Sequence, residues 1–199
     1  MGGAPQGNTV KLLARHQRAG VDIPIILTFE IVIHSFWDNY PNTALSKPII
    51  TLRLIARDEL PQLLILYNHL NPVDAPLPAD DVLQSIWDGI LHDPRLYYIV
   101  ADVDNQLVAT CNLTIVPNLT RGARPYGIIE NVVTHLDFRQ QGFGTKVLHY
   151  ALALAWQQQC YKVMLLSGSK NEETLHFYEK AGFKRGLKTG FVALPPEEL

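Results

Sequence analysis

The sequence predicts an α+β chain, with a mixed and mostly antiparallel central sheet flanked by helices. Three observations lead there. Short runs rich in β-branched and aromatic residues are interspersed with segments of helical apolar spacing. One strand pair, on either side of the helix that follows "RQQGFG" from Arg139, is separated by enough chain for a parallel crossover. The other strands are joined too briefly for crossovers, so they form a mixed sheet and not a doubly wound one.

Taken in order, "IITLRLIA" from Ile49 reads as a strand. "RDELPQLLILYNHL" from Arg57 carries Leu60, Leu63, Leu64 and Tyr67 at helical spacing, with Asp58 as its expected N-cap. "NPVDAPLP" breaks that helix. "ADDVLQSIWDGILHD" from Ala79 is a second helix, with Val82, Leu83, Ile86, Trp87 and Ile90 as its apolar stripe and Pro94 as its stop. "LYYIVADV" from Leu96, the turn "DNQ" and "LVATCNLTIV" from Leu107 form a hairpin. "PNLTRGARPYG" is a loop, and "IIENVVT" from Ile128 is a strand with a buried character. A helix then runs from Gly144 to about Gln158 on Val147, Leu148, Ala151, Leu152, Leu154 and Ala155. "KVMLL" from Lys162 is a strand. In "SGSKNEETLHFYEKAG", Ser169 and Glu172 have capping-box spacing for a short helix, and Gly182 suits its end. "FKRG" and "KTGFVAL" are expected to be a last pair of short strands.

The chain has 199 residues, 47% of them hydrophobic and 18% charged, enough apolar material for a core in one domain. A formal net charge of −2 gives no basic footprint, so no nucleic-acid partner and no basic membrane-binding surface are expected. The longest apolar run, "IPIILTFEIVI" from Ile23, is short for a membrane span and contains Pro24 and Glu30; it also suits a signal peptide poorly. Cys111 and Cys160 are far apart and read as buried reduced thiols of a cytoplasmic protein. The seven histidines show no metal-ligand spacing, and no metal is expected. Residues 1–48 differ in character: "MGGAPQGN", a basic patch of Lys11, Arg15 and Arg18, and the polar stretch "DNYPNTALSKP". They read as an N-terminal extension of weak order, or a start placed too early, before a domain of residues 49–199.

The segment "RQQGFGTKVLHYALALAW" from Arg139 raises the question of a phosphate. A P-loop is excluded because the two glycines are only two apart and Lys146 follows Thr145. A dinucleotide fingerprint is excluded because Val147 occupies the place of its third glycine or alanine. What remains is R-x-x-G-x-G opening a helix directly after a strand, on Arg139, Gly142 and Gly144. Glycines allow unusual dihedrals and close approach to an anion. The unbonded amides from Gln140 to Thr145, including those of Gln141 and Phe143, would face a pyrophosphate, with the helix dipole adding to the attraction. Arg139 and Lys146 would add charge.

"IIENVVTHLDFRQQGFGTKVL" and "CYKVMLLSGSKNEETLHFYEKAGF" together resemble the GCN5-related N-acetyltransferases, most sharply from Ile128 to Phe183. The family's acetyl-CoA loop R-x-x-G-x-G is kept at every position. A second family signature is matched by Asn171, Phe177, Tyr178, Glu179, Lys180, Gly182 and Phe183. The resemblance implies the acyl-CoA N-acyltransferase fold, in which the strand Ile128–Thr134 splays from Lys162–Leu166 and the pantetheine arm of acetyl-CoA enters the gap. It further implies that backbone groups of Val132, Val133 and Thr134 bond the arm and polarise the thioester carbonyl. The loop from Arg139 to Thr145 would take the pyrophosphate, and Asn171, Phe177 and Tyr178 would lie near the arm and the sulfur.

Acetyl transfer to an amine requires a deprotonated amine, a stabilised oxyanion and a protonated leaving thiolate. Tyr178 is the expected acid, since a phenol keeps its proton until a thiolate forms beside it. Glu130 is the expected base, directly or through a water; a partly buried carboxylate there would suit proton uptake. It also borders the acceptor cleft, where Arg121 and Arg124 are candidates to hold an acidic acceptor. His135 and His176 read as surface residues. The same strings resemble the glucosamine-6-phosphate acetyltransferase branch, but that branch carries an acidic cluster where this chain has Ser167, Gly168 and Ser169. The departure leaves the acceptor open.

The leading expectation is an acetyl-CoA-dependent N-acetyltransferase of a small-molecule primary amine, acting by direct attack in a ternary complex, with a homodimer as its expected assembly. A protein amine acetyltransferase and a non-catalytic acyl-CoA sensor are the alternatives. A sensor would need neither Tyr178 nor Glu130.

Overall fold

The computed structural model describes residues 49–168 and 170–196. The predicted extension 1–48 and Ser169, half of the predicted capping box, lie outside the described residues. The elements are β1 (Ile50–Leu54), a 3-10 turn (Arg57–Glu59), α1 (Leu60–Asn68), α2 (Asp80–His92), β2 (Leu96–Val103) and β3 (Gln106–Val116). They continue through the single turn α3 (Thr120–Ala123), β4 (Tyr126–Thr134), a 3-10 turn (Leu136–Phe138), α4 (Phe143–Gln157), β5 (Val163–Leu165) and α5 (Glu172–Lys180).

The five strands form one sheet in sequence order. β1, β2, β3 and β4 pair antiparallel, and β4 pairs with β5 in parallel. This is the expected mixed sheet, with its one crossover carried by α4. The β2–β3 hairpin closes on Asp104 and Asn105, both left-handed (φ 50° and 68°), which aspartate and asparagine tolerate better than bulkier residues and which matches the twist of the strands.

Each sheet face is sealed by its own core. Tyr97, Ile99, Ala101, Cys111, Leu113 and Ile129 pack on Val147, Leu148, Ala151, Leu154 and Ala155 of α4. On the other face Val100, Leu107 and Val133 pack under Leu60, Leu63, Leu66 and Trp87 of α1 and α2. A charge cluster ties the β1 edge. Arg53 bonds both Glu59 and Asp102, and Glu59 also accepts from the Ala56 amide at 2.7 Å.

Several expectations are corrected. Asp58 lies inside the 3-10 turn, and Glu59 takes the N-cap position of α1. Its carboxylate closes the preceding turn, an arrangement that needs the Arg53 partner from β1. On α2, Leu83, Trp87 and Ile90 face the core while Val82 and Ile86 are exposed, because only one side of that helix meets the sheet. Asn171 caps α5, its side chain accepting from the Glu173 amide at 2.9 Å. The expected loop before β4 contains α3, a turn with Arg121 and Gly122 in left-handed conformation. The expected last strands, 183–186 and 188–194, are turns and irregular chain. They join no ladder of the sheet, Gly186 is left-handed (φ 77°) and Phe191 is 91% exposed.

Candidate active site

Strand β4 organises the site. Its parallel ladder with β5 covers only Gly127–Val163, Ile128–Met164 and Ile129–Leu165. Beyond Ile129 no strand among the described residues lies beside the β5-facing edge of β4, so Glu130 to Thr134 border a wedge between the two strands. On its other side β4 stays paired with β3, but with an irregularity. Glu130 pairs with Asn112 and Val133 with Thr110, so Asn131 and Val132 together oppose the single residue Cys111. This is a β-bulge, and Asn131 at φ 54° is the residue that turns it. The bulge sits where β4 parts from β5.

The glycine loop closes one end of the wedge. Gln140 (φ 61°) and Gly142 (φ 80°) are left-handed, and Gly142 is the N-cap of α4. A Cβ on Gly142 would meet no atom within 4 Å, so the space above it is open. The Lys146 amide makes the first helical bond, to the Gly142 carbonyl at 3.1 Å. The amides of Phe143, Gly144 and Thr145 therefore have no helical partner, a group of donors that fits a pyrophosphate. Gly144 has a different task. A Cβ there would stand 3.1 Å from both Phe177 Cζ and Thr134 Oγ1, so its absence lets α5 and β4 close on the helix start.

The two predicted cations behave differently from free anion ligands. Arg139 donates to the Thr134 carbonyl at 3.2 Å and to the His69 carbonyl at 3.5 Å, binding the loop to β4 and to the end of α1. Its charge still stands beside the loop. Lys146 lies 4.8 Å from the centre of the Phe143 ring, and burial lowers its basicity. Gln141 donates to the Asp137 carbonyl at 3.0 Å and stiffens the turn before the helix.

Tyr178 reaches the wedge from α5. Its ring packs at 4.9 Å from that of Phe177 and edge-on at 6.3 Å to Phe183. Burial raises its pKa, and Cys111 and the Glu130 carboxylate raise it further. Tyr178 and Glu130, 48 positions apart in sequence, thus come within electrostatic reach of each other. Glu130 itself is exposed, which corrects the expectation of a partly buried carboxylate.

Other expected residues are placed less favourably. Arg124 donates to the carbonyls of Gln159 and Cys160, both at 3.1 Å, and pins the turn between α4 and β5. Those bonds engage the Nε and Nη2 side of the guanidinium with the chain itself. Arg121 lies on the exposed turn α3. His176 is on the surface, as expected, but the His135 side chain is only 17% exposed, wedged 4.3 Å from the His69 ring and 5.7 Å from Phe138. Sequence reasoning missed the bulge at Asn131, and Tyr67 and Asn112, whose enclosed phenol oxygen and Oδ1 have no hydrogen-bond partner among the described residues. The available signal was weak: a tyrosine on an otherwise leucine-rich helical stripe, and asparagines inside apolar strands.

The description "Acetyltransferase (GNAT) family" matches residues 60–183. The chain belongs to this family. It is an acetyl-CoA-dependent N-acetyltransferase. It is 32% identical over 145 residues to a glucosamine 6-phosphate N-acetyltransferase of Trypanosoma brucei brucei, across 68% of this chain and 89% of that one. Among solved structures, a candidate acetyltransferase from Agrobacterium tumefaciens is 43% identical with a TM-score of 0.68, covering 72% of this chain and 99% of that one. A Trypanosoma brucei acetyltransferase is 29% identical with a TM-score of 0.62, covering 73% and 99%. Among the described residues no helix is long and apolar enough to cross a membrane.

Proposed function

We propose that this N-acetyltransferase acts on the primary amine of a small molecule, by direct attack of the amine on acetyl-CoA within a ternary complex. The observation that carries the reading is the wedge beyond Ile129, with the Gly142–Thr145 amides at one end and Tyr178 beside Glu130 within it. Acetyl-CoA supplies an activated thioester. The loop amides from Gln140 to Thr145 hold its pyrophosphate, and the backbone of Val132, Val133 and Thr134 receives the arm. Those backbone groups stabilise the negative charge that develops on the thioester oxygen. Glu130, exposed to solvent, takes the proton of the incoming ammonium directly or through a water. The phenol of Tyr178, kept neutral by burial and by Cys111 and the Glu130 carboxylate beside it, gives its proton to the departing sulfur and regains one from the nitrogen as the amide forms. Phe177 packs α5 on Gly144, and the Asn171 cap fixes the start of α5, so both set where Tyr178 stands.

The names of the curated relatives make a phosphorylated amino sugar the first acceptor to test. Arg121, at the outer rim on α3, is the remaining arginine of the predicted pair for its anionic group. Free, buried Cys111 and Cys160 support a reducing compartment such as the cytoplasm. Exposed Leu187, Phe191, Val192 and Leu194 support the homodimer reading, which sedimentation would test. The function is tested by calorimetry with acetyl-CoA, using NADH and ATP as controls, followed by thiol release with glucosamine 6-phosphate, glucosamine, other small amines and lysine peptides. Turnover of peptides alone would transfer the assignment to protein acetylation. Acetyl-CoA binding without turnover of any amine would leave a sensor.

A further inference from the structure

The glycine loop is seated on a turn that begins at His135. The His135 amide donates to the Val108 carbonyl of β3 at 2.8 Å, which anchors the end of β4. Its ring then caps the 3-10 turn that follows, Nδ1 accepting from the Asp137 amide at 3.3 Å. That turn delivers the chain to the loop: the Phe138 amide bonds the His135 carbonyl at 3.0 Å and the Arg139 amide bonds the Leu136 carbonyl at 3.2 Å. Gln141 returns from the loop to the Asp137 carbonyl of the same turn. The His135 ring also stands inside a row of rings. It lies 4.3 Å from His69 at the end of α1 and 5.7 Å from Phe138, which lies 6.1 Å from Phe143 in the first turn of α4. One side chain thus caps the turn and joins α1 to the start of α4. Asparagine, aspartate and serine oxygens are the usual caps and accept at any neutral pH. Histidine accepts through Nδ1 only while that nitrogen has no proton, because a protonated imidazole has two donors and no acceptor. Protonation would remove the cap and offer a substitute, the exposed Asp137 carboxylate, which lies 3.8 Å from Nδ1. The other titratable or charged groups around the ring are His69 from α1 and Arg139 from the loop, whose guanidinium reaches the Thr134 and His69 carbonyls. Lys146 of α4 stands over Phe143 at the far end of the row.

We propose that His135 is a positioning residue for acetyl-CoA and that it positions the loop only as a neutral imidazole. Protonation exchanges the cap on the Asp137 amide for an ion pair with the Asp137 side chain, and the turn beneath the pyrophosphate donors slackens. His135 touches neither acetyl-CoA nor acceptor. Its effect passes through the 3-10 turn to the amides of Phe143, Gly144 and Thr145. Binding selects the neutral ring, so it releases a proton wherever the free ring is protonated, and acid weakens binding. The inference rests on the pyrophosphate role given to that loop above.

The test is calorimetry with acetyl-CoA from about pH 7.5 to about pH 5.5, the range in which imidazoles change charge. Wild-type affinity is expected to fall about fivefold, the effect of losing one cap. At about pH 6, titrations in two buffers of different ionisation enthalpy should show proton release on binding. The release should persist with 3′-dephospho-acetyl-CoA, which lacks the phosphate that titrates in the same range. His135→Asn supplies a cap that does not titrate. It should match wild type within about twofold at the upper pH, with most of the acid fall and of the proton release gone. His135→Ala should bind about fivefold more weakly at the upper pH already, and it should likewise lose most of the fall. His69→Gln, which keeps the backbone carbonyl used by Arg139, should retain the wild-type profile. An acid fall as steep in His135→Asn as in wild type, or one that disappears with His69→Gln, overturns the proposal while leaving the enzyme assignment standing. Tighter binding in acid, the result of direct attraction between imidazolium and pyrophosphate, overturns it as well. Equal weakening of His135→Asn and His135→Ala across the whole range makes the ring merely a packing element and also overturns it. Should either variant fold poorly, the wild-type protein with the dephospho ligand decides, since binding without proton release refutes the proposal. A wild-type protein that does not bind acetyl-CoA at any pH removes the functional reading itself, and this proposal with it.

Discussion

Gly144 offers a test in which the magnitude can be worked from atomic contacts. A methyl group there would lie 3.1 Å from Phe177 Cζ, 3.1 Å from Thr134 Oγ1 and 3.2 Å from Phe177 Cε2. Each contact is a few tenths of an ångström too close, and two of the three fall on one rigid ring. Overpacking of this kind costs about 1–3 kcal/mol, whereas exchanging glycine for alanine within a helix returns about 1 kcal/mol. The net expectation for Gly144→Ala is a loss of about 1 kcal/mol, which for a chain of this size lowers Tm by about 3 °C. The larger effect should fall on turnover. Phe177 must retreat, and Tyr178 is the next residue on the same short helix, so its phenol moves with it. A displacement near 1 Å costs on the order of a hundredfold in rate. The assay pairs differential scanning fluorimetry with steady-state thiol release. The relief variant Gly144→Ala/Phe177→Leu, which removes the ring edge, should regain most of the lost stability. Wild-type Tm and kcat in Gly144→Ala would refute the claim that α5 is seated on α4 through this glycine.

The remaining expectations concern the proton donor, the loop and the β1 edge. Tyr178→Phe should lower kcat about a hundredfold with acetyl-CoA affinity unchanged by calorimetry, and equal turnover would remove Tyr178 as the acid. Because the folded environment raises its pKa, the phenol stays protonated across the neutral and mildly alkaline range, so the wild-type kcat profile should show no alkaline fall below about pH 10 from this group. Gly142→Asp should weaken acetyl-CoA binding by more than about tenfold, with Gly142→Asn, which bears left-handed φ without the charge, falling between it and wild type; unchanged binding in Gly142→Asp would sink the loop assignment. Burial works against ionisation of Glu59, but the hydrogen bonds from Arg53 and Ala56 and the Arg53 charge outweigh it and hold its pKa below the ordinary 4.5. The resulting stabilisation is present above pH 4.5 and is lost as the pH falls through the lower, folded value. Chemical denaturation from pH 6 to pH 3 should therefore show a steeper acid loss in wild type than in Glu59→Gln, and parallel curves would exclude the contribution.

Much of the frame was legible in the chain because local signals and distant packing agree there. Two runs rich in β-branched and aromatic residues around the turn "DNQ" predict β2 and β3, and both are largely buried. The spacing of Val147, Leu148, Ala151, Leu154 and Ala155 predicts the helix that those same residues bury. Predictions failed where a residue's role depends on a partner that spacing does not reveal. Arg124 looked free until the chain brought the carbonyls of Gln159 and Cys160 to it. Val82 and Ile86 fit the helical stripe, but the sheet meets only one side of α2. Residues 188–194 have a strand's composition and join no ladder of the sheet.

By itself the sequence determined the mixed sheet, the single crossover, the glycine loop at a helix start and the family resemblance. The first three follow from short-range rules: dihedral freedom at glycine, side-chain periodicity and connection length; the resemblance rests on the matched motifs. Only the tertiary structure decided that Tyr178 would lie within electrostatic reach of Glu130, that Arg139 would be held by the ends of α1 and β4, and that a bulge at Asn131 would sit where β4 parts from β5. Those features join residues from separate elements, and their geometry is set by how α1, α4 and α5 pack on the sheet, which no local preference encodes.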